Sequence, residues 1–192
     1  MNIAFVIAYS LTSVGGFERW CKEMTRRLDV RGHRILVIST NYDIRYNKHE
    51  PIRIRYGNMN YIEVQHMIKL PRGSPIPTIK ELKLLIRSEL NNYDIIYLYY
   101  FPPLSLVFKL LYTILLEPKH FRKVIAGVHY VPSNDLSDPI SFLHKPLYIN
   151  GLRSFYWIHV PNIILKHWLT KIFFKDCLLY TSPSPRDLST SR

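Results

Sequence analysis

Uninterrupted apolar runs and amphipathic stretches alternate along this chain. The first run, Asn2 to Ala8, carries no polar residue after Asn2. That suits a parallel strand covered on both faces and does not suit a half-wet edge strand. From Phe17 the apolar positions are Phe17, Trp20, Cys21, Met24 and Leu28, spacings of three and four that make one helical stripe. Glu18, Arg19, Lys22, Arg26 and Arg27 form the charged opposite side. Gly32 is suited to the left-handed position that ends a helix, and a second buried strand, Ile35 to Ser39, follows at once.

The alternation continues. Ile52 to Tyr56 alternates as a half-exposed strand, Tyr61 to Leu70 contains another, and Pro71 to Pro77 is a loop. A helix is predicted from Thr78 to about Asn91, with Ile79, Leu82, Leu85, Ile86 and Leu90 inward. Ile95 to Leu116 is long enough to span a bilayer, but Pro102 and Pro103 split it into a strand and a helix, each too short to cross alone. Lys123 to Val128 reads as a buried strand ending at His129, residues from Ile140 to Phe155 as helical, Trp157 to Val160 as a short strand, and Asn162 to Phe174 as a last helix. The expected fold is α/β: a Rossmann-like parallel sheet with helices on both faces.

Gly15 and Gly16 sit between the first strand and its helix. A helix start presents unpaired N–H groups and a partial positive charge, and glycines there let an anion come close. The alternative is that the pair only permits a tight turn with positive φ. The spacing of a dinucleotide fingerprint is missing around Ser13 to Arg19, which argues against a nicotinamide oxidoreductase.

Val14 to Arg19, followed by Arg31 to His33 before a second strand, resembles the opening of a family-4 glycosyltransferase of the GT-B fold. Asp94 to Tyr97 with Pro102 and Pro103, then Ile125 to His129, then Trp157 to Asn162, are similar in order and spacing to that family's acceptor-side domain. The resemblance covers Met1 to Asp176. It implies that Gly15 and Gly16, with Glu18 and Arg19, bind the diphosphate of a nucleotide-sugar donor or the adjoining acceptor. It also implies that His129 faces the cleft and contacts the transferring sugar or acceptor. The family often has Thr-x-His-Gly or Thr-x-His-Asp where this chain has Gly127 to Tyr130.

From Cys177 to Arg192 the hydrophobic period stops and two Ser-Pro pairs appear. This stretch resembles the translation of a transposase adapter used in making sequencing libraries. It is expected to be a non-native disordered tail, leaving residues 1–176 as one N-terminal glycosyltransferase domain, truncated before a second. Setting aside Arg186, Arg192 and Asp187 moves the formal net charge only from +12 to +11. A basic chain favours phosphorylated substrates or anionic lipid head groups. Nucleic acid is not expected as a partner, since no helix-turn-helix, zinc-finger or RNP pattern appears. Cys21 then stands alone as a core thiol, in keeping with a reducing compartment.

The remaining histidines, among them His159 inside a strand and read as core, show no metal-ligand spacing; no metal and no cofactor is expected. Asp43 is read as a solvated loop residue. The resemblance therefore implies a retaining transferase that moves a sugar from a nucleotide-sugar to an acceptor hydroxyl on a sugar or a lipid-linked acceptor. Its location would be cytoplasmic, with peripheral contact at the inner membrane surface. The rival reading is a non-catalytic basic α/β module that docks on an anionic membrane or a protein partner.

Overall fold

The structure is a computed structural model and describes residues 1–7, 16–40, 52–56, 59–64, 67–68, 76–100, 102–116, 118–129, 149–160 and 178–181. The first unit is strand β1 (Asn2–Val6), helix α1 (Gly16–Val30) and strand β2 (Arg34–Thr40). β3 (Ile52–Tyr56), β4 (Met59–Val64) and two short strands, β5 (Met67–Ile68) and β6 (Ile76–Pro77), precede α2 (Ile79–Ser88). β7 (Ile95–Tyr99), α3 (Pro102–Leu115), β8 (Val124–Gly127), β9 (Trp157–Val160) and β10 (Leu178–Thr181) follow, with short 3-10 turns at Leu90–Asn92 and Pro118–Lys123.

The main sheet has the order β10, β9, β8, β7, β1, β2, β4, β3. Every neighbouring pair is parallel except β3 with β4, an antiparallel pair at one edge. Buried apolar runs make the inner strands: Ile3 to Ile7, Ile35 to Ile38 and Ile96 to Tyr100 are all buried. After β1 the chain moves outward to β2, β4 and β3, then returns to the other side of β1 as β7. The order of strands therefore reverses between β1 and β7, the place where open α/β sheets leave a crevice at their carboxyl ends.

α1 ends as its sequence dictates. Gly32 has φ +77, His33 N–H donates to the Leu28 carbonyl at 3.1 Å and Gly32 N–H to that of Asp29 at 2.8 Å, the paired bonds of a Schellman cap. α2 starts at Thr78, whose hydroxyl accepts from the Glu81 N–H at 3.4 Å; Leu82, Leu85 and Ile86 are buried, whereas Ile79 at the first position is exposed. The apolar Ile95–Leu116 region divides at its prolines into β7 and α3, as expected, and among the described residues no helix is long and apolar enough to cross a membrane.

Two expectations need correction. The stretch beyond Cys177 is not free of regular structure, because Leu178–Thr181 pairs in parallel with β9. Two leucines, a tyrosine and a threonine suit a strand, and β9 would otherwise offer an open edge. On α1, Glu18 does not lie on a charged outer side: it is 8% exposed and shares the most covered line of the helix with Cys21 and Thr25. The helices expected at 140–155 and 162–174 fall largely or wholly outside the described residues, as do Asp43 and residues 182–192.

Candidate functional site

Strand register brings the candidate residues together. Phe5, Tyr97 and Ile125 stand side by side across β1, β7 and β8. One step further toward the carboxyl edge on the same face, Tyr99, Gly127 and His159 line up across β7, β8 and β9. α1 covers this face: the Trp20 ring is 5.3 Å from that of Tyr97, and Phe17 is 4.4 Å from Tyr99. The next residue in alternation, Tyr100, belongs to the opposite layer, where its ring meets Phe155 at 5.8 Å.

His129 comes just after β8, and its imidazole enters the aromatic group under the first turns of α1. Its centroid is 4.5 Å from Phe17 and 4.8 Å from Trp20. Tyr97 joins it to a second histidine. The Tyr97 hydroxyl lies 2.8 Å from His129 Nε2 and 2.8 Å from His159 Nδ1. Gly127 makes this possible, since a Cβ there would collide with the Tyr97 hydroxyl and ring. Burial, and secondarily the neighbouring His159, brings the His129 pKa down to about 3; burial brings His159 to about 4. Both rings are neutral at pH 7. Burial raises Tyr97 well above the usual phenol range, and burial with Glu18 nearby raises Cys21 to about 12, so neither ionises there.

Gly16 is the first residue of α1, and among the described residues, its chain neighbours and the helix's own backbone apart, no atom lies within 4 Å of where a side chain would begin. Among the described residues positive φ is confined to Gly32, so Gly16 is not there to permit a left-handed turn. The following residue, Phe17, touches His129, so the start of α1 and His129 share the carboxyl edge of the sheet at the β1–β7 reversal. Gly15 lies outside the described residues. Glu18 turns inward toward Cys21, while Arg19 is exposed, roughly 200° round the helix from Phe17; the structure does not bring Arg19 to His129.

A second polar group lies on this face and edge, beyond β1. Tyr61 donates to Glu63 Oε2 at 2.9 Å, and because its one proton is used there, Ser39 donates to the Tyr61 oxygen at 2.6 Å. Glu63 is 6% exposed. The sequence reading missed this group and Tyr97, and took His159 for a core residue; His159 is half-buried and bonded to Tyr97. One signal was available: a lone glycine inside a strand, Gly127, marks a close approach by another group.

With this geometry in view, comparison with known proteins decides the family. The sequence profile of Glycosyltransferase Family 4 matches residues 14–187. The chain belongs to that family. A sucrose-phosphate synthase from Thermosynechococcus elongatus has a similar fold, with TM-score 0.56 and 13% identity over 98% of this chain and 93% of that one. An alpha,alpha-trehalose-phosphate synthase (UDP-forming) from Burkholderia vietnamiensis gives TM-score 0.49 and 11% identity over 89% of this chain and 42% of its own. No curated protein matches the sequence. The sheet and its helices match the Rossmann-like α/β fold of GT-B glycosyltransferases, and the chain's general chemistry is glycosyl transfer.

Proposed function

We propose that this family-4 chain is the acceptor-side domain of a retaining glycosyltransferase, which moves a sugar from a nucleotide-sugar donor to an acceptor hydroxyl in a cleft at the β1–β7 reversal. The observation that carries the reading is the contact between Phe17 and His129, which joins the start of α1 to a neutral imidazole at the sheet's carboxyl edge. Backbone N–H groups at Gly16 and the next residues suit the charge of a leaving diphosphate, and Gly15 precedes them in sequence as a further candidate contact. His129, uncharged at pH 7, acts as a hydrogen-bonding group that orients the acceptor oxygen or the transferring sugar. Glu18 supports the cradle from within, and Arg19 adds long-range positive charge.

Most of the donor contact then belongs to a second α/β domain, and the 192 residues form one wall of the cleft. Alone, this wall cannot exclude water from the reaction. Two tests bear on the reading. Uridine or guanosine diphosphate at millimolar concentration should shift the amide resonances of Gly16, Phe17 and His129, and Gly16→Val should weaken that response about tenfold; shifts confined to other residues, or none, would refute the site. The intact gene should continue past Asp176 into a second α/β domain. If it ends after Arg192, or if the purified chain turns over a nucleotide-sugar alone, the half-enzyme reading is wrong.

A peripheral membrane contact is a second, compatible reading. It rests on the exposed basic side of α1, where Arg19, Lys22, Arg26 and Arg27 are all open to solvent.

A further inference from the structure

We infer that Tyr97 is a positioning residue that locks His129 and His159 into the same tautomer, so that the ring at the far end of the cluster sets which polar character His129 presents to a ligand. The inference rests on His129 being a site residue, as proposed above.

The argument is proton counting. A tyrosine hydroxyl has one proton to donate, and a neutral imidazole has one N–H and one bare nitrogen. Tyr97 meets His129 through Nε2 and His159 through Nδ1, both at 2.8 Å. If Tyr97 donates to His159 Nδ1, the proton of His159 is on Nε2; Tyr97 then accepts from His129, whose proton is also on Nε2. If Tyr97 donates to His129 Nε2, both histidines carry their proton on Nδ1. Either arrangement satisfies all three groups, and in either the tautomers match because the hydroxyl touches opposite nitrogens of the two rings. Mismatched tautomers leave Tyr97 with two donors and no acceptor for its proton, or with two acceptors and one proton.

The surroundings hold the hydroxyl in place. Tyr97 is 7% exposed, its ring is 5.4 Å from Phe5 and 5.3 Å from Trp20, and the absence of a side chain at Gly127 leaves the hydroxyl its seat between the two rings. Tyr97 meets His129 through Nε2, so Nδ1 is the nitrogen this proposal assigns to a ligand. In the first arrangement that nitrogen offers a lone pair, suited to a sugar hydroxyl. In the second it offers an N–H, suited to a phosphate or ring oxygen. A ligand that needs the other character must move the proton of His159 as well.

Long-range proton–nitrogen correlation spectra of the nitrogen-15-labelled chain at pH 7.5 read each tautomer directly. Matching protonation at His129 and His159 is expected, with populations that change together when temperature is varied. In Tyr97→Phe that correlation should be lost, and the two populations should vary independently. Opposite tautomers in the wild-type chain, or an unchanged pattern in Tyr97→Phe, would overturn the inference. Should Tyr97→Phe fail to fold, the wild-type pattern decides by itself. No ligand enters this measurement, so it is separable from the site reading: absent nucleotide shifts would remove the site and leave the pairing, while opposite tautomers would do the reverse.

Discussion

Acidification should unfold this protein through two histidines before its carboxylates take part. Folding holds His129 at a pKa of about 3 and His159 at about 4, both below the ordinary 6.5. For a base whose folded pKa is depressed, the unfolded chain binds the proton first. The stability these rings supply is intact above pH 6.5 and is lost as pH falls from there toward 4 and then 3. At pH 5 the unfolded imidazoles are almost fully protonated and the folded ones almost bare. Each ring then costs roughly 1.36 kcal/mol times 1.5 pH units, about 2 kcal/mol, and the pair about 4 kcal/mol. Set against a typical domain stability of about 5–15 kcal/mol, that loss is large.

Glu23 falls in a different window. Its hydrogen bonds from Arg26 and Arg27 lower its pKa from 4.5 to about 2, so whatever it supplies is retained above pH 4.5 and lost only below. Cys21 and Tyr97, two further titratable side chains in the histidine cluster, are raised and stay protonated throughout. Urea unfolding at intervals from pH 7.5 to 5 is the assay. Its stability should fall with a slope approaching about 2.7 kcal/mol per pH unit, two protons' worth, near the acid end. His129→Asn or His159→Asn should halve that slope. A flat profile over this range, or a slope unaffected by either substitution, would refute the burial argument for both rings.

Gly127→Ala should destabilise the fold by about 1–3 kcal/mol or more through collision with the Tyr97 ring. Combining it with Tyr97→Val should cost less in urea unfolding than the two separate losses added together. Gly32→Ala, at φ +77, should cost about 1 kcal/mol in thermal unfolding while leaving nucleoside-diphosphate shifts at Gly16 unchanged. Co-sedimentation with anionic vesicles should occur at low salt and disappear at high salt, and fall further in a chain with Arg19, Lys22 and Arg26 replaced by Gln. Binding that is absent, or indifferent to salt, would remove the membrane reading.

The parts of the fold that depend on local pattern were legible. Asn2 to Ala8 and Ile35 to Ser39 read as parallel strands because they lack alternation, and both contribute to the middle of the sheet. Gly32 was legible because only its backbone freedom fits the end of α1. Pro102 and Pro103 separated β7 from α3. Glu18 was misread because a helical wheel knows charge but not which line of the helix the sheet covers: on α1 that line runs through Glu18, Cys21 and Thr25. Leu178–Thr181 was misread because composition around the Ser-Pro pairs outweighed a four-residue strand-forming run next to an open edge.

The site was legible only at its ends, and the reason is the register between strands far apart in sequence. Gly16 and His129 could be assigned to one edge because each follows a parallel strand. Tyr97 and His159 are separated by 62 residues, and nothing in either segment states that Gly127 will stand between them. Once the pairing of Tyr99 with Gly127 and of Gly127 with His159 is fixed, the rest follows. A tyrosine one step back on the same face has the length to reach over the glycine, and its hydroxyl arrives where a histidine on the next strand and one just past the strand end can both meet it. The glycine is therefore as much a part of the histidine site as either imidazole. A tyrosine two residues before the end of one strand, a glycine ending its neighbour and a histidine in the third form a pattern that can be sought directly in other parallel sheets.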